Sequence, residues 1–210
     1  MTTTPAPAAA AGISYLALGD SYTIGEGAPE AGRWPVQLAA QAQAQGLPLA
    51  APTIIARTGW TTAELQDAIR AAHDTRTYGL VSLLIGVNNQ YRGQSLALYR
   101  QEFRALLATA VAFAGGQPRH VVVLSIPDWG QTPFADGRDR AQIAQEIDQF
   151  NAVAHEECRS ADVAFVDITP LTRAAAGHAG EFTADGLHYT PAQMQQWAAL
   201  ALPVVQRQLR

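Results

Sequence analysis

An α/β fold, with a five-stranded parallel sheet covered by helices on both faces, follows from two features of this 210-residue chain. Short runs rich in Val, Ile and Leu alternate with longer stretches of helical periodicity, five times in succession. Such alternation builds a parallel sheet whose crossovers pack on either side. The composition agrees, because 48% hydrophobic and 15% charged residues suit a chain that folds around a core rather than staying disordered.

Strands are expected at 13–18, 53–56, 80–85, 120–125 and 163–166. Each is short, branched or Leu-rich and bounded by turn residues, the pattern of strands buried on both faces. Helices are expected between them at 34–45, 62–72, 96–114 and 139–159, with a last one at 191–208. Two helix starts carry clear signals. Thr61 followed by Glu64 makes a capping box, and Thr190 before Pro191 places an N-cap ahead of a proline at the first helical position. In the last helix Met194, Trp197, Ala201, Val204 and Val205 recur at helical spacing and mark a buried face.

Residues 1–12 are Thr, Pro, Ala and Gly after the initial Met, with no basic region and no strong apolar run, and read as a flexible tail. Residues 13–210 read as a single domain. With no stretch apolar enough to span a bilayer, a cytoplasmic protein without stable membrane association is expected.

All 14 basic residues are Arg, scattered along the chain, and the formal net charge is -4. That leaves no electrostatic footprint for nucleic acid. Cys158 is the sole cysteine, so no internal disulfide can form, and it sits in a helical pattern. His73, His120, His155 and His178 have no Cys or carboxylate at metal-ligand spacing, so neither a metal nor a cofactor is expected. Gly25-Glu26-Gly27 lacks the rest of a nucleotide fingerprint.

In parallel sheets ligands bind beyond the carboxyl ends of the strands, so the turns after each strand are where chemistry belongs. Gly19-Asp20-Ser21 follows the first strand and Arg57-Thr58-Gly59 the second. Gly86-Val87-Asn88-Asn89 follows the third, and Asp185-Gly186-Leu187-His188 precedes the last helix. In that order and spacing these four blocks resemble the SGNH hydrolase superfamily, the GDSL-type esterases and lipases, over nearly the whole chain.

The resemblance implies a flavodoxin-like three-layer α/β/α sandwich and hydrolysis of O-acyl esters, of short-chain acyl or acetyl type, through an acyl-enzyme. It implies Ser21 as nucleophile, His188 as base and Asp185 as the group that orients the base. It also implies an oxyanion hole from the Ser21 and Gly59 backbone N–H groups and the Asn88 side chain. The residue types suit that work. A serine hydroxyl needs a neutral imidazole to take its proton, and a carboxylate behind the imidazole fixes its tautomer. The expected partner is a small-molecule ester.

One position departs from the family pattern: Asn89 stands where an Asp is common. Because that Asp is not the triad acid, altered loop hydrogen bonding is expected rather than lost activity. Asp20 is expected to brace its loop. Gln90-Tyr91-Arg92-Gly93 and the aromatic stretch 126–134 are candidates for the pocket entrance and wall, with Trp60 and Trp129 as apolar lining. Arg57 or Arg92 is a candidate contact for an anionic or sugar substrate. Three readings share these residues: ester hydrolysis, acyl transfer or thioester cleavage with the same triad, and a non-catalytic binding module.

Overall fold

The computed structural model describes residues 12–209; the tail expected at 1–12 therefore lies almost entirely outside the described residues. Five strands, β1 (Tyr15–Gly19), β2 (Thr53–Ala56), β3 (Leu80–Leu84), β4 (Val121–Leu124) and β5 (Ala164–Val166), form one sheet. All neighbours are parallel, in the order β2-β1-β3-β4-β5. The chain runs outward from β1 to β2, then returns past β1 to β3. The crevice at the carboxyl ends of β1 and β3 is thus the reversal point at which such sheets bind ligands.

Among the described residues eight α-helices accompany the sheet: α1 (Ser21–Ile24), α2 (Trp34–Ala44), α3 (Thr62–Ala72), α4 (Val87–Tyr91), α5 (Leu96–Phe113), α6 (Arg140–Ser160), α7 (Thr169–Ala174) and α8 (Pro191–Leu209). The long ones fall where the periodicity predicts them. The short α1, α4 and α7 were not expected, and α1 and α4 carry site residues.

Burial follows sheet position. The central strands β1, β3 and β4 are buried at every residue, whereas the edge strands are only partly so. The expectation of strands buried on both faces therefore fails at β2 and in part at β5, each of which has a neighbour on one side only. The first strand starts later than expected, and Ile13 makes only an isolated bridge to Leu49.

The Thr61–Glu64 capping box is present at the start of α3. Pro191 does open α8, but Thr190 does not cap it with its side chain. The Thr190 hydroxyl is buried without a hydrogen-bond partner among the described residues, and only its carbonyl serves the helix, accepting from Met194 N–H at 3.0 Å. Helix α8 lies along α2, where Gln37 Nε2 donates to the Pro191 carbonyl at 2.8 Å and Gln41 Nε2 to that of Gln195 at 3.2 Å. Met194, Trp197, Ala201 and Val205 are buried beneath it, while Val204 is only half-buried. Cys158 is a buried residue of α6, and burial pushes its thiol up to about 12, so it is an inert apolar side chain.

Candidate active site

Ser21 opens α1 immediately after β1. Asp20 is the N-cap of this helix, its Oδ1 accepting from Tyr22 N–H at 3.0 Å. Thr23 and Ile24 N–H donate to the Asp20 carbonyl, at 3.1 and 3.0 Å, so of the first N–H groups of α1 that of Ser21 is the one without a protein partner among the described residues. Gly19 is fixed by crowding: a Cβ there would stand 2.2 Å from Thr23 Oγ1 and 2.5 Å from the Leu84 carbonyl. Only glycine lets β1 pass so close to β3 while the chain turns into α1. Asp20 is fully buried, and burial pushes its carboxyl up to about 7. It braces its loop, as expected.

Gly59 occupies the third position of a turn closed by Trp60 N–H to the Arg57 carbonyl at 3.3 Å, with φ of 86°. A positive φ at that position selects glycine. The nearest atom to an added Cβ would be Arg92 Nη2 at 3.9 Å. Conformation therefore selects glycine here, and not contact with other protein atoms.

Asn88 lies in α4. One N–H of its amide donates to the Trp60 carbonyl at 2.9 Å, which leaves the second N–H for the pocket.

The Asp185–His188 segment is a closed loop. Thr183 N–H donates to the His188 carbonyl at 2.8 Å and Gly186 N–H to the Thr183 carbonyl at 2.9 Å. Asp185 Oδ2 meets His188 Nδ1 at 2.6 Å. The other oxygen, Oδ1, accepts from Leu187 N–H, His188 N–H and the Thr183 hydroxyl, at 2.8, 3.0 and 2.8 Å. Burial works against ionisation of Asp185, but these hydrogen bonds outweigh it and hold the carboxylate well below the usual range. The His188 side chain is 8% exposed while that of Asp185 is 43% exposed, so the carboxylate approaches the ring from the solvent side. Tyr22 packs edge-on against the imidazole at 5.7 Å between ring centres. With Nδ1 engaged, Nε2 is left for proton transfer.

Ser21, Gly59, Asn88 and His188 line one pocket of about 190 Å³. Its apolar side is made by Val87, Tyr91, Trp129, Phe134 and Leu187. The expected aromatic wall is therefore present at Trp129 and Phe134, and Tyr91 stands at the entrance. Trp60 does not line the pocket; its indole packs against the hydrophobic core, and its carbonyl receives Asn88. Neither candidate arginine lines it. Arg57 is exposed, and Arg92 turns to the Gly59 carbonyl at 2.6 Å and to Glu64 at 3.2 Å. Tyr22, Thr58, Val87 and Leu187 were not anticipated as lining, although each is next in sequence to a residue that was.

The wall is anchored to the segments that carry His188 and Asn88. Phe134 N–H donates to the Gly186 carbonyl at 2.9 Å, and the Trp129 indole N–H to Gln90 Oε1 at 2.8 Å. Beneath it the buried Asp128 pairs with Arg173 at 2.8 Å.

Several solved structures share this architecture at low sequence identity. The structure described as TesA superposes with a TM-score of 0.72 at 19% identity, covering 93% of this chain and 99% of its own. A lipase/acylhydrolase from Enterococcus faecalis gives 0.71 at 19%, covering 94% and 97%. A W215I variant of Axe2, an acetyl xylan esterase from Geobacillus stearothermophilus, gives 0.66 at 18%, covering 92% and 94%. Among curated protein sequences none matches. The profile of one sequence family, however, matches residues 17–196, from within β1 into α8 and across all four blocks. On that match the chain belongs to the GDSL-like lipase/acylhydrolase family and is a carboxylic ester hydrolase.

Proposed function

We propose that this hydrolase cleaves short-chain acyl and acetyl esters through an acyl-enzyme on Ser21. The observation that carries the reading is the 2.6 Å pair of His188 Nδ1 and Asp185 Oδ2, with the imidazole and Ser21 lining one small pocket.

Ser21 Oγ attacks the ester carbonyl as His188 Nε2 takes the hydroxyl proton. The resulting oxyanion is met by the Ser21 and Gly59 N–H groups and the free amide N–H of Asn88. The intermediate collapses, the C–O bond to the alcohol breaks, and the proton on His188 goes to the departing oxygen. Water then repeats the sequence: it loses a proton to His188, adds to the acyl carbon, and releases the acid while the proton returns to Ser21. Asp185 holds the ring in the Nδ1–H tautomer and balances the imidazolium charge in both halves.

The substrate class rests on volume. About 190 Å³ lies below the roughly 300–1,000 Å³ typical of pockets for drug-sized ligands. That space suits an acetyl or short acyl group against Trp129 and Phe134, with the alcohol portion, simple or sugar, left toward solvent.

The test is a burst-phase assay with p-nitrophenyl acetate and butyrate, comparing wild type with Ser21→Ala. The expected result is a stoichiometric burst in the wild type and a loss of about 10³-fold or more in turnover in the variant. Equal turnover in both folded proteins would remove Ser21 from the mechanism. Partition of the acyl group to an added alcohol or thiol distinguishes hydrolysis from transfer.

A further inference from the structure

Helix α4, which carries Asn88, has only five residues, and a helix that short does not hold itself together. Its position is set by bonds to the start of α3, the segment that begins just after Gly59. Asn89, the residue that departs from the family pattern, is fully buried between the two. Its Oδ1 accepts from Thr62 N–H at 3.1 Å, one of the unpaired donors of the first turn of α3. Its Nδ2 donates to Thr62 Oγ1 at 2.5 Å and to Gln94 Oε1 at 2.7 Å. The Thr62 hydroxyl in turn donates to Glu102 of α5, whose carboxylate also stands 3.5 Å from Asn89 Nδ2.

The side-chain protons of Asn89 and Thr62 are all assigned. Both amide hydrogens of Asn89 face acceptors, and the Thr62 hydroxyl hydrogen is spent on Glu102. An Asp at position 89 would set a second carboxylate about 3.5 Å from that of Glu102, with the single Thr62 hydroxyl hydrogen to serve both, and would force the Gln94 amide to turn its N–H inward. The network that fixes α4 against α3 therefore favours an amide at 89, because a carboxylate already occupies 102 and a second one would repel it.

We infer that Asn89 and Glu102 are a matched pair of positioning residues that set the distance between the Asn88 and Gly59 oxyanion donors. The inference rests on the site reading above. The pair touches no substrate; it acts by holding α4, and with it the Asn88 amide, against the turn that presents Gly59. A donor displaced by about 1 Å can cost on the order of 10²-fold in rate, so disturbance of the pair falls on kcat.

The experiment measures kcat and KM on p-nitrophenyl acetate, with thermal unfolding, for wild type, Asn89→Asp, the double variant Asn89→Asp/Glu102→Gln, and Thr62→Val. Asn89→Asp is expected to lose at least about tenfold in kcat with KM changed by less than about twofold. The double variant, which restores one amide and one carboxylate in exchanged places, is expected to recover kcat to within about threefold of wild type. A purely structural role does not predict that recovery. Wild-type kcat in Asn89→Asp, a loss that appears in KM instead, or a folded double variant no more active than the single one overturns the pairing. Should Asn89→Asp not fold, Thr62→Val carries the test. It removes the hydroxyl between the partners at nearly constant volume, and an unchanged kcat overturns the inference. A wild type whose burst survives Ser21→Ala faults the site reading, whereas a normal burst with indifferent variants faults only the pairing.

Discussion

Arg92 donates from its guanidinium to the carbonyl of Gly59 at 2.6 Å, so the arginine that follows α4 closes onto the glycine that follows β2. With the Asn88 bond to the Trp60 carbonyl and the Asn89 bond to Thr62, this makes three successive ties between the same two loops. Arg92→Met is accordingly expected to lower kcat on p-nitrophenyl acetate by about three- to tenfold. Its pairing with Glu64 is close to half exposed on both sides and adds little stability, so the melting temperature is expected to move by no more than a few degrees. A melting loss without a kcat loss would make Arg92 a surface brace only.

Asp185→Asn leaves the shape of the loop nearly intact but replaces the acceptor that fixes the His188 tautomer. The expected loss is about 10⁴-fold in kcat, read by steady-state hydrolysis of p-nitrophenyl acetate. A loss smaller than about tenfold would show that the backbone of the 183–188 loop orients the ring without the carboxylate.

Asp20 ties pH to stability. Burial raises its carboxyl from 3.8 to about 7, so the native chain keeps a proton that the unfolded chain releases. This contribution is fully present below about pH 4 and is lost as pH rises through about 7. Asp20→Asn carries no such charge. Its melting temperature is expected to gain on the wild type as pH rises from about 5 to about 8, measured in parallel melts across that range. Parallel curves would place the titration of Asp20 outside that window.

Acyl length is the sharpest probe of the pocket. kcat/KM is expected to fall steadily from acetate through hexanoate to octanoate once the acyl chain outgrows the cavity of about 190 Å³. Phe134 lines that pocket and is 39% exposed, so its truncation opens the wall toward solvent. Phe134→Ala is expected to raise the octanoate-to-acetate ratio of kcat/KM by at least about threefold, since each methylene newly accommodated contributes about 0.8 kcal/mol. An unchanged ratio would place the acyl chain elsewhere.

The sheet, the long helices and the loops bearing Ser21, Gly59, Asn88, Asp185 and His188 were legible in the sequence because their signals are local. Strand runs, helical periodicity, a capping box and turn glycines each act over a few residues. What escaped depends on distant partners. Helix α4 reads Val-Asn-Asn-Gln-Tyr, a poor helix former, and its bonds run to residues far along the chain. Trp60 reads as pocket lining by composition, yet the turn at Gly59 sends its indole to the core. Thr190 has the right identity for a side-chain cap, but packing at the start of α8 buries its hydroxyl without a partner among the described residues. Nothing near Asn89 in sequence announces Glu102.

Helix α8, docked on α2, follows directly from the loop that holds His188, whereas Ser21 follows the first strand. During synthesis Ser21 therefore leaves the ribosome well before His188, with most of the sheet and its helices between them. A growing chain carries Ser21 without His188 until the 183–188 loop has emerged, and α8 can seat on α2 only after that. On the proposed mechanism a chain that stops short of His188 holds the nucleophile without its base and cannot attack esters around it.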